Sequence, residues 1–227
     1  VFTNGLSIRE TEIELERVLR GIKAKSAAIV VPNLPFGIVH ADAIERIAKR
    51  QGISIISRDD IEYAGYHDTL RSIALKLSRR KPDVVFCLTD YIALHVFWKE
   101  ARKQKYNSWL ITTQHLDEAV RLSGDTSMWQ KAIGIYPKVK SVDFDRDFRA
   151  TFRRAPKVYS AEGYDSMIFL ARALDAGISL NSESYKTLGV TGALHAKPGA
   201  TEISNLKAVA LKVGKSGQLE KISFDFK

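Results

Sequence analysis

The stretch Ala27-Ala-Ile-Val-Val-Pro-Asn-Leu-Pro-Phe-Gly37 decides the fold of this chain. It opens with a short apolar run that stops at Pro32, which predicts a buried strand over residues 27–31. Residues 37–50 then place apolar side chains at helical spacing, and residues 53–56 form a second apolar run. A strand, a helix and a strand joined by short connections form the repeating unit of a parallel sheet.

Predicted helices and strands continue to alternate before and after this stretch. A capping-box pattern at Ser7–Glu10 starts a helix that precedes the first strand. This alternation predicts an α/β protein with a doubly wound, mostly parallel sheet and helices on both faces. The further predicted helices cover residues 68–80, 91–103 and 142–154, and the further predicted strands cover residues 84–88, 109–111 and 132–136.

The last third of the sequence has a different pattern. Residues 159–176 predict a long helix whose apolar side chains cover more than half of its circumference, so it needs burial on more than one side. A short helix over 183–188, a strand over 190–195 and a hairpin of residues 208–213 and 219–224 are expected after it. The shift in composition near Ala155 predicts two domains, residues 4–155 and 156–227.

Composition excludes several classes of protein. The 227 residues are 45% hydrophobic and 27% charged, which is typical of globular chains and not of disordered ones. The net charge is +9, but the basic clusters fall at the ends of predicted helices, where cations are favoured in any case. This pattern favours solvated helix ends over a nucleic-acid surface. No apolar run is long enough to cross a bilayer, so we expect no transmembrane segment.

The sequence carries no recognisable catalytic or metal-binding motif. Cys87 is the single cysteine and lies in an apolar predicted strand, which favours a packed side chain over a nucleophile. The five histidines are scattered without the spacing of metal ligands. Neither a nucleophile elbow nor a phosphate-binding or dinucleotide-binding glycine motif is present. We therefore expect a protein that is not an enzyme and that needs no metal or cofactor.

Three segments, taken in order, resemble the type 1 periplasmic-binding-protein family. They are residues 27–37, the stretch from Pro82-Asp-Val-Val-Phe-Cys-Leu-Thr-Asp to Tyr91 with its following helix, and Tyr159-Ser-Ala-Glu-Gly-Tyr-Asp-Ser-Met. The similarity is to extracellular ligand-binding receptors related to the branched-chain amino-acid receptors of ABC transporters. It implies a two-lobe solute-binding protein of the periplasm or cell exterior that closes around a small organic ligand, with an ABC transporter permease or an envelope protein as partner.

The resemblance also implies which parts of the fold the chain holds. Residues 1–4 resemble the point where the family's chain crosses into the carboxy-terminal lobe, so residues 4–155 correspond to that lobe, nearly complete. Residues 156–227 correspond to a remainder of the amino-terminal lobe, whose first part is lacking. The helix at 159–176 is then expected to be covered by a missing amino-terminal segment, by a second copy of the chain or by the carboxy-terminal hairpin. The side chains at stake are Met167, Ile168, Phe169, Leu170 and Leu174.

The candidate ligand-binding residues lie in the loops that follow the predicted strands. Open α/β sheets bind ligands beyond the carboxyl ends of their strands. In the family, the position of Phe36 forms an aromatic wall against the ligand, although a loop aromatic that covers its own core explains Phe36 nearly as well. Asp90 faces the same region, and its alternative role is the N-cap of the next helix. The candidates are Asn33, Phe36, Thr89, Asp90, Tyr91, Thr113 and Gln114.

One departure from the family concerns the loop at residues 112–114. Amino-acid-binding members hold the ligand's ammonium group there with an acidic residue, whereas this chain has Thr-Thr-Gln. Asp117 and Glu118 come later and are expected to begin a helix. A free α-amino acid is therefore in doubt as the ligand. A cell-envelope interaction module of the same fold, similar to activators of penicillin-binding proteins, and the effector domain of a transcriptional regulator remain as alternatives.

Overall fold

The chain forms seven α-helices and nine strands in the part of the sequence that the structure describes. The computed structural model describes residues 4–62, 65–139, 141, 143–180, 182–199, 203, 206–222 and 224. The helices are α1 Ile8–Ile22, α2 Pro35–Gln51, α3 Tyr66–Arg80, α4 Tyr91–Lys103, α5 Leu116–Ser123, α6 Asp143–Phe152 and α7 Ser160–Asp175. The strands are β1 Ser26–Pro32, β2 Ser54–Ile61, β3 Val84–Cys87, β4 Trp109–Thr112, β5 Ala132–Pro137, β6 Tyr185–Leu188, β7 Ala193–Ala196, β8 Ala208–Val213 and β9 Leu219–Lys221.

A seven-stranded sheet has the order β2-β1-β3-β4-β5-β8-β9. The pairs β2–β1, β1–β3, β3–β4 and β4–β5 are parallel, and β8 pairs with β9 in antiparallel fashion. The predicted mostly parallel sheet with flanking helices is therefore confirmed, as is the carboxy-terminal hairpin. Of the predicted elements, residue 142 of the helix over 142–154, residue 223 of the hairpin and residues 1–3 of the expected crossing lie outside the described residues.

The chain divides into two compact units. Residues 11–136 and 209–227 form the first, here called the sheet unit, and residues 1–10 and 137–208 form the second, here called the α6–α7 unit. This division differs from the predicted boundary near Ala155, because α6 groups with α7 and the hairpin β8–β9 groups with the sheet. The assignment of residues 4–155 and 156–227 to two lobes stays a prediction.

The core of the sheet unit is made by alternating side chains of the central strands and by the apolar faces of the helices. Ala28 and Val30 of β1 and Val85 and Cys87 of β3 point to one face, where they pack against α3, α4 and α5. Cys87 is fully buried, and this burial raises the pKa of its thiol to about 12. The expectation of a packed cysteine side chain is confirmed.

Strand β2 is longer than the sequence predicted. It runs from Ser54 to Ile61 instead of ending at residue 56, although it contains Arg58, Asp59 and Asp60. An edge strand can carry charges because one of its sides stays accessible. Arg58 donates to Asp42 of α2 at 2.9 Å, and Lys76 of α3 forms an ion pair with Asp59. Because Arg58 and Asp59 are charged, the apolar pattern did not predict the second half of β2. The same two residues attach β2 to α2 and α3.

The α6–α7 unit holds a second, two-stranded sheet in which β6 pairs with β7 in antiparallel fashion. The prediction of a short helix over residues 183–188 is wrong, since residues 185–188 form β6. The predicted strand over 190–195 begins later, at Ala193, because residues 190–192 form a bend beneath α7. Asp165 of α7 accepts hydrogen bonds there from the backbone N–H groups of Val190 and Thr191, at 2.7 and 2.9 Å.

Candidate functional site

The carboxyl ends of the parallel strands lie at one edge of the sheet unit, which we call the site edge. The loops that leave β1, β3 and β4 all emerge there, because the strands are parallel and adjacent. These loops carry all seven of the predicted ligand-binding residues. The structure thus brings their backbone positions to the same edge, while their contact with a ligand stays a prediction.

The loop after β1 is built around a close backbone contact. A Cβ atom on Gly37 would lie 1.9 Å from the carbonyl oxygen of Pro32, so no other residue fits at this position without a shift of the backbone. The contact lets α2 start at Pro35, directly after the strand. Phe36 therefore lies at the first turn of the helix, at the site edge.

Phe36 does not lie in the core. Its side chain is 47% exposed, and its ring packs on that of His40 with the ring centroids 4.2 Å apart. His40 Nδ1 lies 2.8 Å from the carbonyl oxygen of Phe36, and burial lowers the pKa of His40. The same loop carries Asn33, whose amide nitrogen donates to Glu62 Oε1 at 2.6 Å.

The loop after β3 supplies Thr89, Asp90 and Tyr91. Asp90 Oδ1 accepts hydrogen bonds from the backbone N–H groups of Ile92 and Ala93, at 2.8 and 3.1 Å, so Asp90 is the N-cap of α4. Thr89 is buried, and its hydroxyl lies 3.7 Å from Cys87 Sγ. Tyr91 is partly buried against the core of the sheet unit. Asp90 therefore has the N-cap role that the sequence analysis gave as its alternative. Among the described residues, both of these capping hydrogen bonds go to Oδ1 and none goes to Oδ2.

The loop after β4 contains Thr113 and Gln114. The hydroxyl of Thr113 accepts the backbone N–H of His115 at 3.5 Å, and Gln114 is partly exposed. Thr112, at the end of β4, is fully buried, and its hydroxyl has no hydrogen-bond partner among the described residues.

Strand β5 ends at the site edge in a tyrosine that supports the neighbouring loop. Tyr136 packs its ring over Gly134, and its hydroxyl oxygen accepts the backbone N–H of Asp117 at 3.1 Å. Burial raises the pKa of Tyr136, so the phenol stays neutral. The predicted helix that includes Asp117 and Glu118 is confirmed as α5, and the phenol of Tyr136 satisfies one of its free N–H groups.

The connecting segments after β1, β2, β3 and β4 are together acidic, whereas the segment after β5 carries Lys138 and Lys140. The connecting segments at residues 32–37, 62–69, 88–92 and 112–118 contain no lysine or arginine in the sequence. They contain five carboxylates, at Glu62, Asp68, Asp90, Asp117 and Glu118. Asp117 and Asp68 pair with Arg121 and Arg71. Glu62 and Asp90 make the loops after β2 and β3 less favourable for an anionic group than for a neutral or cationic one.

The sequence analysis missed three residues of this edge. Glu62 and Tyr66 lie beyond the true end of β2, which the prediction placed five residues too early, and His40 lies one helical turn after Phe36. Tyr66 is close enough to Asp90 for that carboxylate to help raise the pKa of the phenol, although desolvation contributes more. Glu62 and Tyr66 could have been found if β2 had been predicted to its true end. His40 could have been found from its spacing of four residues after Phe36, which places the two side chains on the same face of the helix.

Groups of three or more potential metal ligands are absent from the described residues. In the same part of the chain, every helix is too short or too polar to cross a membrane.

A family model described as periplasmic binding protein matches residues 12–202. The chain belongs to the periplasmic binding protein family. This confirms the resemblance seen in the sequence, and with it the membership in a family of solute-binding proteins. A search of curated proteins found no match.

Solved structures of periplasmic binding proteins share the fold of this chain. An ABC transporter substrate-binding protein from Desulfitobacterium hafniense in complex with Leu is 23% identical, with a TM-score of 0.70 over 98% of this chain and 67% of that one. A solute-binding protein from R. palustris in complex with benzoate is 14% identical, with a TM-score of 0.79 over 99% and 65%. An extracellular ligand-binding receptor from Verminephrobacter eiseniae is 13% identical, with a TM-score of 0.78 over 96% and 67%. The chain thus spans about two thirds of the length of these proteins.

Proposed function

We propose that this periplasmic binding protein is the substrate-binding component of an ABC-type uptake system or a sensor, and that it binds a small organic solute at the site edge. The proposal rests mainly on the convergence of three loops, after β1, β3 and β4, at one edge of a parallel sheet. Phe36 offers an exposed ring there, and Gln114 offers an amide with no hydrogen bond to the other described residues. Family membership supports the same function.

The charge of the site edge limits the class of ligand. A carboxylate placed against the loops after β1, β2 and β3 would meet Asp90 and Glu62 and no lysine or arginine of those loops. We propose that the part of the solute that faces this edge is neutral or cationic, as in an amide, an amine or an uncharged ring. An amino-acid-like solute fits only if its ammonium group reaches Asp90, because residues 112–114 hold no carboxylate.

The mechanism that we propose follows the family. The resemblance implies that a second lobe closes over the bound solute and that a transporter permease in the membrane reads the closed state. We propose accordingly that the protein acts in the periplasm or outside the cell, with the permease as its partner. These statements rest on the family and on no contact within this chain.

Matched pairs of ligands test both the function and the charge rule. Thermal-shift and calorimetric titrations of the full-length protein compare leucine with leucinamide and benzoate with benzamide. We expect the member without a carboxylate to stabilise the protein more. At a concentration 100 times its Kd, that member should raise the free energy of unfolding by about 2.7 kcal/mol relative to the ligand-free protein. No stabilisation by any small solute would refute solute binding, and a preference for the carboxylates would refute the charge rule.

A substitution at Phe36 tests the location of the site. Phe36→Ala removes the exposed ring and is expected to weaken binding of the responding ligand about tenfold, since aromatic contacts with a ligand are typically worth about 1 kcal/mol or more. Phe152→Ala is the matched control, because Phe152 is also exposed but belongs to the α6–α7 unit. Equal affinities for the Phe36→Ala variant and the unchanged protein would place the ligand elsewhere.

A second candidate is a non-catalytic cell-envelope interaction module of the same fold. Leu34, Ile38 and Val39 favour it, because they expose an apolar surface next to Phe36 that is broader than a small solute needs. Pull-down from a cell-envelope extract with Ile38→Glu as the control separates the two functions. A protein partner lost in the Ile38→Glu variant, together with no response to solutes, would support the module.

A further inference from the structure

The amino-terminal edge of the parallel sheet, at the opposite end of the strands from the site edge, contains a cavity of about 590 Å³. It lies within the sheet unit, where the chain leaves α1, α3 and α4 and enters β1, β3 and β4. Pro82 and Tyr106 are buried at its base, where the Tyr106 hydroxyl donates to the carbonyl oxygen of Pro82 at 3.2 Å. Four lysines line the cavity: Lys23, Lys81, Lys105 and Lys131.

The positive charge of this cavity is largely uncompensated. Asp83 is its one lining carboxylate among the described residues, and that carboxylate accepts the backbone N–H groups of Lys25 and Ser26 at 2.8 and 2.9 Å. In the same part of the chain, the ammonium groups of Lys23, Lys81 and Lys105 form no ion pair. Lys131 donates to the carbonyl oxygen of Asn107 at 3.1 Å, which leaves its charge unneutralised.

The backbone conformation of three of these lysines is a second, independent observation. Lys23, Lys81 and Lys105 have φ values of 54°, 50° and 57°, in the left-handed region where a Cβ atom is unfavourable. Helices usually end in this conformation with glycine, and α2 does so at Gly52. The chain thus places lysine at three helix ends where glycine would be more favourable, and all three face the same cavity.

The helix dipole does not account for this choice. Cations near the carboxyl end of a helix are favourable, but α3 and α4 already carry two each in their last turns. These are Arg79 and Arg80 in α3, and Arg102 and Lys103 in α4. Lys81 and Lys105 are additional to these four cations, and both have the left-handed backbone conformation that is unfavourable for residues with a Cβ atom. Neither the helix dipole nor the preference of the backbone therefore accounts for lysine at these positions.

We propose that the cavity at the amino-terminal edge of the sheet binds a small, soluble, multivalent oxyanion such as a phosphate or pyrophosphate group. Lysine ammonium groups bind such anions as point charges. The lysines line a concave space and not a flat face, which fits a small molecule better than a membrane surface. The neighbouring cavity beside Lys23 is a poorer candidate, because its Arg50 is already paired with Glu16. This site is separate from the solute site of the proposed function and does not depend on it.

Glycine substitutions provide a test that separates binding from structure. Isothermal titration calorimetry with sodium pyrophosphate at low ionic strength compares the unchanged protein with Lys81→Gly, Lys105→Gly and the triple variant that also carries Lys23→Gly. We expect the triple variant to lose about tenfold or more in affinity, because the attraction depends on the local charge. Its melting temperature is expected to stay the same or rise, because glycine suits the left-handed backbone.

Arg153→Gly is the matched control. Arg153 has the same left-handed conformation, with φ of 52°, and carries the same charge, but it belongs to the α6–α7 unit and does not line the cavity. Its pyrophosphate affinity should equal that of the unchanged protein. Equal losses in Arg153→Gly and Lys105→Gly, or no binding of pyrophosphate at all, would overturn the proposal. A fall in the melting temperature of the triple variant would assign the lysines a structural role instead. Binding only to vesicles that contain phosphatidic acid would also overturn it, in favour of a lipid surface.

Discussion

Helices α4 and α7 have similarly apolar sequences but very different surroundings. Helix α4 buries Phe97 and Trp98 completely beneath its neighbours α3 and α5. Helix α7 buries Phe169 against Tyr185, with the ring centroids 5.3 Å apart, but leaves Met167 and Leu174 67% and 76% exposed. Burial therefore depends on what the fold places beside a helix and not on the helix's own composition.

Two expectations concerned the apolar side chains of α7. Phe169 was expected to need a cover from outside, yet it packs in a small cluster with Leu194, Ala196 and Ile203. Tyr164, Met167, Leu170 and Leu174 are exposed in the chain as described. That a further segment or a second copy covers this face stays a prediction.

The two helices also begin differently. Asp90 caps the first N–H groups of α4 with its carboxylate, whereas the N-cap position of α7 holds Tyr159, whose side chain is not a capping acceptor. The contact that positions α7 lies near its middle, where the Asp165 carboxylate accepts hydrogen bonds from the backbone N–H groups of residues 190 and 191. Helix α4 is thus held mainly by apolar packing, whereas α7 combines the packing of Phe169 with a buried carboxylate.

The largest expected effect is that of Trp98→Ala in α4. Trp98 is fully buried, and its Nε1 donates to the carbonyl oxygen of Met128 at 2.7 Å. Its removal should lower the free energy of unfolding by about 3–5 kcal/mol, measured by urea denaturation. Ile92→Ala is the control on the same helix, at a position that is 41% exposed, and should cost about 1 kcal/mol or less. Similar losses for both variants would contradict the burial of α4.

Asp165→Ala should have the next largest effect, and it tests the restraint on α7. The substitution leaves the backbone N–H groups of Val190 and Thr191 without their acceptor, and each buried donor without a partner costs about 1–3 kcal/mol. A loss of about 3 kcal/mol is therefore expected in urea denaturation. Asp175→Ala, at the exposed end of the same helix, should change the free energy of unfolding by less than about 0.5 kcal/mol. If Asp165→Ala is as mild as this control, packing and not the carboxylate holds α7.

Asp90→Ala should have a smaller effect and tests the cap of α4. Loss of a side-chain N-cap costs about 1 kcal/mol. Asp68→Ala provides the comparison, because Asp68 lies in the first turn of α3 but its side chain is 92% exposed. Thermal denaturation of both variants should show a clear loss only for Asp90→Ala. A ligand affinity that falls far more than the stability would indicate that Asp90 also contacts the solute.

The smallest expected effect is that of Met167→Gln combined with Leu174→Gln on the exposed face of α7. Exposed positions tolerate such changes to within about 0.5 kcal/mol each, so the free energy of unfolding should hardly change. Phe169→Ala, on the buried face of the same helix, should cost about 3–5 kcal/mol. A loss above about 2 kcal/mol for the glutamine variant would show that the exposed face is packed against something in solution.

Prediction from sequence succeeded where the pattern was local. The apolar run at residues 27–31, the cap at Asp90 and the turn between β8 and β9 each carry their signal within a few neighbouring residues. Prediction failed at β2 and β6, because their polar sequences lack the apolar pattern of a buried strand. Arg58 of β2 pairs with Asp42 and Glu45 of the preceding helix, and β6 pairs with β7, the next strand along the chain. The order of the loops at the site edge could be predicted from the alternation of strands and helices. Recognising Glu62, Tyr66 and His40 as residues of that edge required the observed bounds of β2, α3 and α2.

The amino-acid sequence by itself determined the α/β class, the mostly parallel sheet and the family, because alternating apolar runs and helical periodicity leave few other ways to bury that surface. Only the tertiary structure decided which side of α7 is buried, which strands take charged residues, and that Lys23, Lys81 and Lys105 meet at one cavity. These outcomes depend on contacts between residues that are distant in sequence, and such contacts leave no periodic signal along the chain.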